Sequence, residues 1–275
     1  MLAATFLALG SAALHATWNL LVKTSDNRLL AAWGQFLFGG LVFAPLLFFV
    51  GLPEGRAWPF LAASVVVHVL YTLALVRAYH HADFSFAYPL ARGGGAMLAA
   101  VGGVLFLGDV LSGGAWLAIA IVVGGLASLV RPSVTGVALL WAGLTAATIG
   151  TYTTLDAAGA RRSTGFGYAV ALLLAVGLAL TACLAAAGHG ADFVPAVRDN
   201  WRRYLVGGVC STLAYAMVLV GVRLAPVGYV AALRESSVVL GAAAGWLLLH
   251  ERLGRSRVVS SAVVAGGLIL LIIVR

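Results

Sequence analysis

Apolar runs of about twenty residues, each closed by a charge, a glycine or a proline, recur along the whole chain, and a run of that length crosses a bilayer as a helix. They predict spans near 1–22, 29–50, 58–77, 84–106, 111–130, 136–157, 165–187, 203–223, 227–249 and 257–274, ten in all. The connectors left over are short. The longest polar one, 189–203 (HGADFVPAVRDNWRR), is too short to fold by itself, so function must reside in the bundle and its loops. The first run, Met1 to Val22, has no basic residue before Lys23 and reads as a span, not as a leader.

Composition turns this pattern into an exclusion. Of 275 residues, 62% are hydrophobic and 9% charged, where soluble domains carry about 25% charged residues. A water-soluble enzyme is excluded, and the chain reads as an all-α, multi-pass protein of the cell (inner) membrane, with lipid around it. The net charge of +8 does not point to nucleic acid, because the basic residues are scattered between apolar runs and form no stripe. Loops on the N-terminal side hold five basic residues (Arg56, Arg161, Arg162, Arg223, Arg275). The opposite side holds ten (Lys23, Arg28, Arg77, Arg131, Arg198, Arg202, Arg203, Arg252, Arg255, Arg257), a bias that puts both termini outside the cytoplasm. Cys183 and Cys210 lie in apolar runs, where burial as small hydrophobes is the usual outcome, and imply no disulfide.

The chain also repeats itself. YTLALVRAYHHADFSFAYPLARGGGAMLAAVGGVLFLGDVLS, opening at Tyr71, is echoed by YAMVLVGVRLAPVGYVAALRESSVVLGAAAGWLLLHERLG, opening at Tyr215. Arg92 matches Arg234, Leu107 matches Leu249, Asp109 matches Glu251, and both halves end in Val-Arg, at Val130-Arg131 and Val274-Arg275. The halves are 1–131 and 132–275. Five spans per half is an odd number, so the halves cross the membrane in opposite senses: two inverted five-helix repeats around a central cavity.

Ionisable groups inside spans are costly, about 2.5–3.5 kcal/mol each at the bilayer centre, and mark cavities. Spans 1, 3, 4, 6, 8 and 9 carry them, while 5 and 10 are nearly bare, so the first six are expected to line the cavity. Arg92 and Arg234 form the sharpest pair: two guanidiniums at matched positions can clamp a carboxylate, phosphate or phosphonate. Alternatively Asp156 neutralises Arg234 and Glu235 neutralises Arg92, as fixed pairs that no substrate touches. Asp156, Glu235 and His15 are also candidates for proton coupling or gating. Trp18, Asn19, Tyr71, Tyr88, Tyr152, Tyr215 and Ser236 complete the expected substrate-binding set, the aromatics either as a wall for an organic solute or as packing.

Other features read as structure. Asp109 and Glu251 stand where an acid caps the N-terminus of spans 5 and 10. Pro89 with Gly93-Gly94-Gly95 predicts a weak point in span 4 that span 9 lacks. The pair Gly241-x-x-x-Gly245 and the doublets Gly102-Gly103, Gly124-Gly125 and Gly266-Gly267 suit close helix packing. His80 and His81 belong to a solvated loop with Asp83. No nucleophile elbow, zinc-protease motif or phosphate loop is present, and no metal or cofactor is expected.

HATWNLLVK in span 1, the long run from Tyr71 and its echo APVGYVAALRESSVVLGAAAGWLLLHERLG resemble the drug/metabolite transporter superfamily, in its ten-helix EamA-type branch. Tyr88, Pro89 and Arg92 match its Tyr-Pro-x-x-Arg element. Gly108-Asp109 matches its Gly-acid element, whereas the second copy has His250-Glu251 and lacks the glycine. The resemblance implies a secondary transporter that moves small organic solutes by alternating access, often in amino-acid or metabolite efflux; with Arg92 and Arg234 in the cavity, the expected solute is a small organic metabolite (amino acid, organic acid or other anionic or zwitterionic solute). A membrane-embedded enzyme or a lipid-headgroup flippase would use the same cavity. Substrate, direction and the choice between monomer and homodimer are not encoded in these motifs.

Overall fold

A computed structural model describes residues 1–81, 84–128, 135–240 and 255–274, with side chains described except at Lys23, Tyr79, 84–89 and 255–258. Ten helices of eight residues or more run through the described residues: α1 Leu2–Lys23, α2 Arg28–Phe43, α3 Trp58–His81, α4 Phe84–Leu107, α5 Gly113–Ala127, α6 Gly136–Arg161, α7 Gly165–Ala186, α8 Phe193–Leu224, α9 Val227–Arg234 and α10 Arg255–Ile273. Lipid leaves no other hydrogen-bond partner for a spanning backbone, which accounts for the all-helical result. Local chemistry sets the ends. Asn27 Oδ1 accepts from Leu29 N and Leu30 N at the start of α2, and Ser112 Oγ accepts from Ala115 N at the start of α5. Gly108, at φ +70°, ends α4 in the left-handed conformation that glycine adopts without strain.

Six helical segments are long and apolar enough to cross a membrane, Leu2–Val22, Arg28–Val50, Gly55–Ala78, Leu90–Leu107, Gly165–Ala186 and His189–Leu224, and Gly113–Ala127 and Val259–Ile273 are shorter apolar helices. The protein is a multi-pass integral membrane protein. The helix α6 is not among these because its five threonines and Asp156 dilute its hydropathy.

Helix partners come in matched sets. The helix α1 packs along α8 as α3 packs along α6, while α2 pairs with α7 and α5 with α10. Exchange of two five-helix halves generates that pattern. The boundary near 131 itself lies outside the described residues. Between α5 and α10 small residues permit contact: Gly125 meets Val263 and Val264, and Gly267 meets Ile121 and Val122.

Five expectations are corrected. The polar stretch 189–203 is not a connector: a 3-10 turn His189–Asp192 leads into α8, whose 32 residues far exceed the roughly twenty a bilayer core needs. Pro195 sits in the first turn, where a missing N–H costs nothing. Secondly, α4 runs unbroken through Pro89 and Gly93–Gly95. Its glycines serve proximity, since a Cβ on Gly94 would stand 2.9 Å from Ala146 Cβ and one on Gly95 would collide with Ile149 of α6. The irregularity lies in the ninth span, where α9 stops at Arg234, Glu235 makes i,i+3 turn bonds, and helix resumes over 236–240. Thirdly, His80 and His81 close α3 as exposed helical residues. Fourthly, Cys183 is exposed on the outer side of α7 and Cys210 is half-buried. Lastly, the cap expected of Asp109 on α5 is made by Ser112 instead. Glu251 and the Gly241-x-x-x-Gly245 pair lie outside the described residues, as does Asp83.

Candidate functional site

The scarce charges inside the spans meet at the centre of the bundle. Arg92 on α4 and Glu235 after α9 are both buried, and the guanidinium donates from Nε to Oε2 at 3.2 Å and from Nη2 to Oε1 at 2.7 Å. This two-pronged geometry suits a planar fork on a carboxylate. Arg234 faces elsewhere. Its Nη2 donates to His15 Nδ1 of α1 at 3.3 Å, and its Cζ stands 5.7 Å from the ring centre of Tyr215 on α8. Its Nε is buried with no hydrogen-bond partner, and no carboxylate among the described residues forms an ion pair with it.

Asp156 of α6 has no exposed surface, and it is not the counter-ion of Arg234. Its oxygens accept from two phenols, Tyr215 of α8 and Tyr168 of α7, the latter at 3.3 Å. The reason is helix register: Tyr215 stands between the aspartate and the arginine, hydroxyl toward one and ring face toward the other. Next to this group His68 of α3 lies 4.1 Å from the ring of Tyr152 and 6.2 Å from that of Tyr215. Tyr71 meets Tyr152 edge-on at 5.6 Å, and Trp18 meets His15 at 4.6 Å.

Nine of the twelve residues singled out in the sequence therefore form one network: Trp18, His15, Arg234, Tyr215, Asp156, Tyr152 and Tyr71 by contact, with Glu235 and Arg92 joined through the chain at 234–235. Two do not join it. Asn19 Nδ2 donates to His15 O within α1, and Ser236 Oγ donates to Leu233 O. Tyr88 lies among the undescribed side chains. His68, Tyr168 and Ser64 belong to the network but lie outside the expected set of twelve: His68 is one of the few polar groups within span 3, while a single hydroxyl in an apolar run resembles an ordinary packing residue. The hollow that Arg92, Arg234 and Glu235 line with Thr153, Ile149 and Val218 is only about 10 Å³, room for roughly one water. A larger hollow of about 340 Å³ lies between the α1–α2 loop and the start of α8, lined by Asn27, Asp192, Asn200 and Tyr204 among others.

A second polar cluster ties the ends of four helices. Gly108 turns the chain so that Asp109 Oδ1 meets Arg161 Nη2 at 2.7 Å, while Oδ2 accepts from Val227 N at 2.7 Å. Arg161 Nε also donates to Val222 O at 2.9 Å. An acid from the first half thus caps α9 of the second, at the face of the bundle where Thr5 of α1 hydrogen-bonds Tyr229.

Residues 136–273 match the family described as the EamA-like transporter family, slightly more than half of the chain. The chain belongs to the EamA-like transporter family. It is therefore a membrane transporter of the drug/metabolite type. A solved structure described only as the crystal structure of a protein superposes with a TM-score of 0.80 over 99% of both chains at 15% identity, a likeness of fold. No curated protein matches the chain.

Proposed function

We propose that the protein is a secondary transporter that carries a small anionic or zwitterionic metabolite by alternating access, with Arg234 as the group that meets the solute's negative charge. The observation that carries this reading is the buried Nε of Arg234, a charged donor with no hydrogen-bond partner, at the edge of the central hollow. An unsatisfied buried donor on a cation is costly unless a ligand completes it. Arg92 and Glu235 serve as neighbours that fix the site. The paired clamp is narrowed in this conformation to one arginine, because the Arg92 fork is already engaged with Glu235.

The small hollow supports an occluded stage of the cycle: transport requires the helices around it to part on one face and then the other. Tyr215 and His15 bear on Arg234 directly, so they orient its guanidinium. Thermal-shift measurements on the purified protein with L-glutamate, L-threonine, succinate, phosphonoacetate and glucose 6-phosphate test the reading. At least one of these raises the melting temperature of the native protein and not that of Arg234→Ala. Equal shifts in both proteins would contradict the role of Arg234.

A further inference from the structure

We propose that Asp156 is the site at which this transporter takes up and releases a coupling proton, and that Tyr215 links that proton to the anion site at Arg234. The proposal rests on the transport reading above. Three buried groups compete for the role, and their partners separate them. Glu235 has both oxygens engaged by the Arg92 fork, a partnership that requires the ionised carboxylate. His15 Nδ1 already accepts from Arg234. Asp156 alone is held by hydroxyls: Tyr215 from α8 and Tyr168 from α7. A hydroxyl donates to a carboxylate and accepts from a carboxylic acid, so this setting accommodates Asp156 with or without a proton.

The other groups around Asp156 are consistent with this. From α3, His68 is turned toward Ser64, with Nδ1 2.9 Å from its carbonyl oxygen and 3.1 Å from its hydroxyl. From its own helix comes Tyr152, whose ring is tilted by 30° against that of His68. From α9 comes Arg234, separated from Asp156 by the Tyr215 side chain. Arg92 and Glu235 neutralise each other beyond it. No cation among the described residues is paired to Asp156.

The sign of the linkage follows from charge. A solute anion on Arg234 adds a negative charge on the far side of Tyr215 from Asp156, in a site that water does not screen. The anion therefore favours protonated Asp156, and the proton favours the anion. Solute anion and proton load together and leave together, a symport. In the step itself a hydronium ion on one face loses a proton to one Asp156 oxygen, its O–H bond breaking as the carboxyl O–H forms, and that O–H bond breaks in turn when water on the opposite face takes the proton and becomes hydronium. Across the pH range where Asp156 titrates, anion affinity changes by about tenfold in total, the reciprocal of a one-unit change in that titration.

Infrared difference titration of the protein in lipid bilayers, in H2O and D2O, tests this with the hydrogen ion as the probe. A carbonyl band of a protonated acid is expected to grow as pH falls, shift in D2O, vanish in Asp156→Asn and persist at an altered frequency in Asp156→Glu. In Arg234→Ala its midpoint moves up by about one pH unit, since a neighbouring positive charge is gone. A band unaffected by Asp156→Asn, no titrating band, or an unmoved midpoint in Arg234→Ala would overturn the proposal. Exchange of the five solutes named above, measured in the same lipid, keeps the two readings apart. If none exchanges, the transport reading fails whatever the titration shows; if one exchanges and no band titrates, the proton site alone fails.

Discussion

Asp109 and Arg161 meet at 2.7 Å although one lies in the α4–α5 loop and the other at the end of α6, and the same aspartate accepts from Val227 N at the start of α9. The bond closes one end of the bundle over the central cluster and joins the two halves of the sequence. The tie holds the start of α9, the eight-residue helix that ends at Arg234 and leads into Glu235.

Asp109→Ala removes the ion pair and the cap together, and the loss is expected to be about 1–3 kcal/mol. A double-mutant cycle on thermal unfolding distinguishes the observed cap from the one expected from sequence. Asp109 couples to Arg161, while Asp109 and Ser112 are additive. Coupling to Ser112 in place of Arg161 would show that the acid caps α5.

The Arg92–Glu235 pair is buried on both sides. Removing one partner leaves an uncompensated charge, and Arg92→Ala or Glu235→Ala is expected to cost about 3–5 kcal/mol. The double variant Arg92→Met/Glu235→Leu costs less than the sum of the two single losses. Strict additivity would mean that the fork contributes nothing.

Gly95 faces Ile149 and leaves no room for a Cβ, whereas nothing lies within 4 Å of the Cβ position of Gly124. Gly95→Val therefore separates α4 from α6 and lowers the melting temperature. Gly124→Ala is neutral or stabilising by up to about 1 kcal/mol, because alanine suits a helix better than glycine. Comparable melting temperatures for the two variants would contradict this packing.

The arrangement of helices was legible in the sequence because lipid imposes one pattern on every span, and nearly every apolar run became a helix. What hydropathy could not tell was a polar helix from a polar loop, which is why 189–203 turned out to extend α8. The site was legible in part for a related reason. A charge inside an apolar run is costly, so Arg92, Asp156, Arg234 and Glu235 stood out one by one. Their partners did not, since pairing depends on which helix faces face each other across the two halves. Of the two ion pairs considered, Arg92 with Glu235 forms; Asp156 instead meets tyrosines, because Tyr215 occupies the space between it and Arg234. The same limit explains Asp109. Its nearest helix start along the chain is α5, but the turn at Gly108 directs the carboxylate to α9.

The extended start of α8 bears on orientation. Trp201 is exposed on a segment with Arg198, Arg202 and Arg203, on the more basic face of the bundle. A cysteine at this position (Trp201→Cys) is expected to react with a membrane-impermeant maleimide only from the cytoplasmic side. Labelling from outside would reverse the orientation.

The most direct measurement of the central claim is solute exchange in reconstituted vesicles by the native protein, Arg234→Ala and Arg234→Lys, with the five solutes named above. The account predicts saturable exchange of at least one anionic or zwitterionic solute by the native protein. It predicts an affinity weaker by roughly tenfold to a hundredfold in Arg234→Ala, the size of a lost hydrogen bond to a charged group, and partial recovery in Arg234→Lys. Exchange of the same solute with unchanged affinity in Arg234→Ala would contradict it.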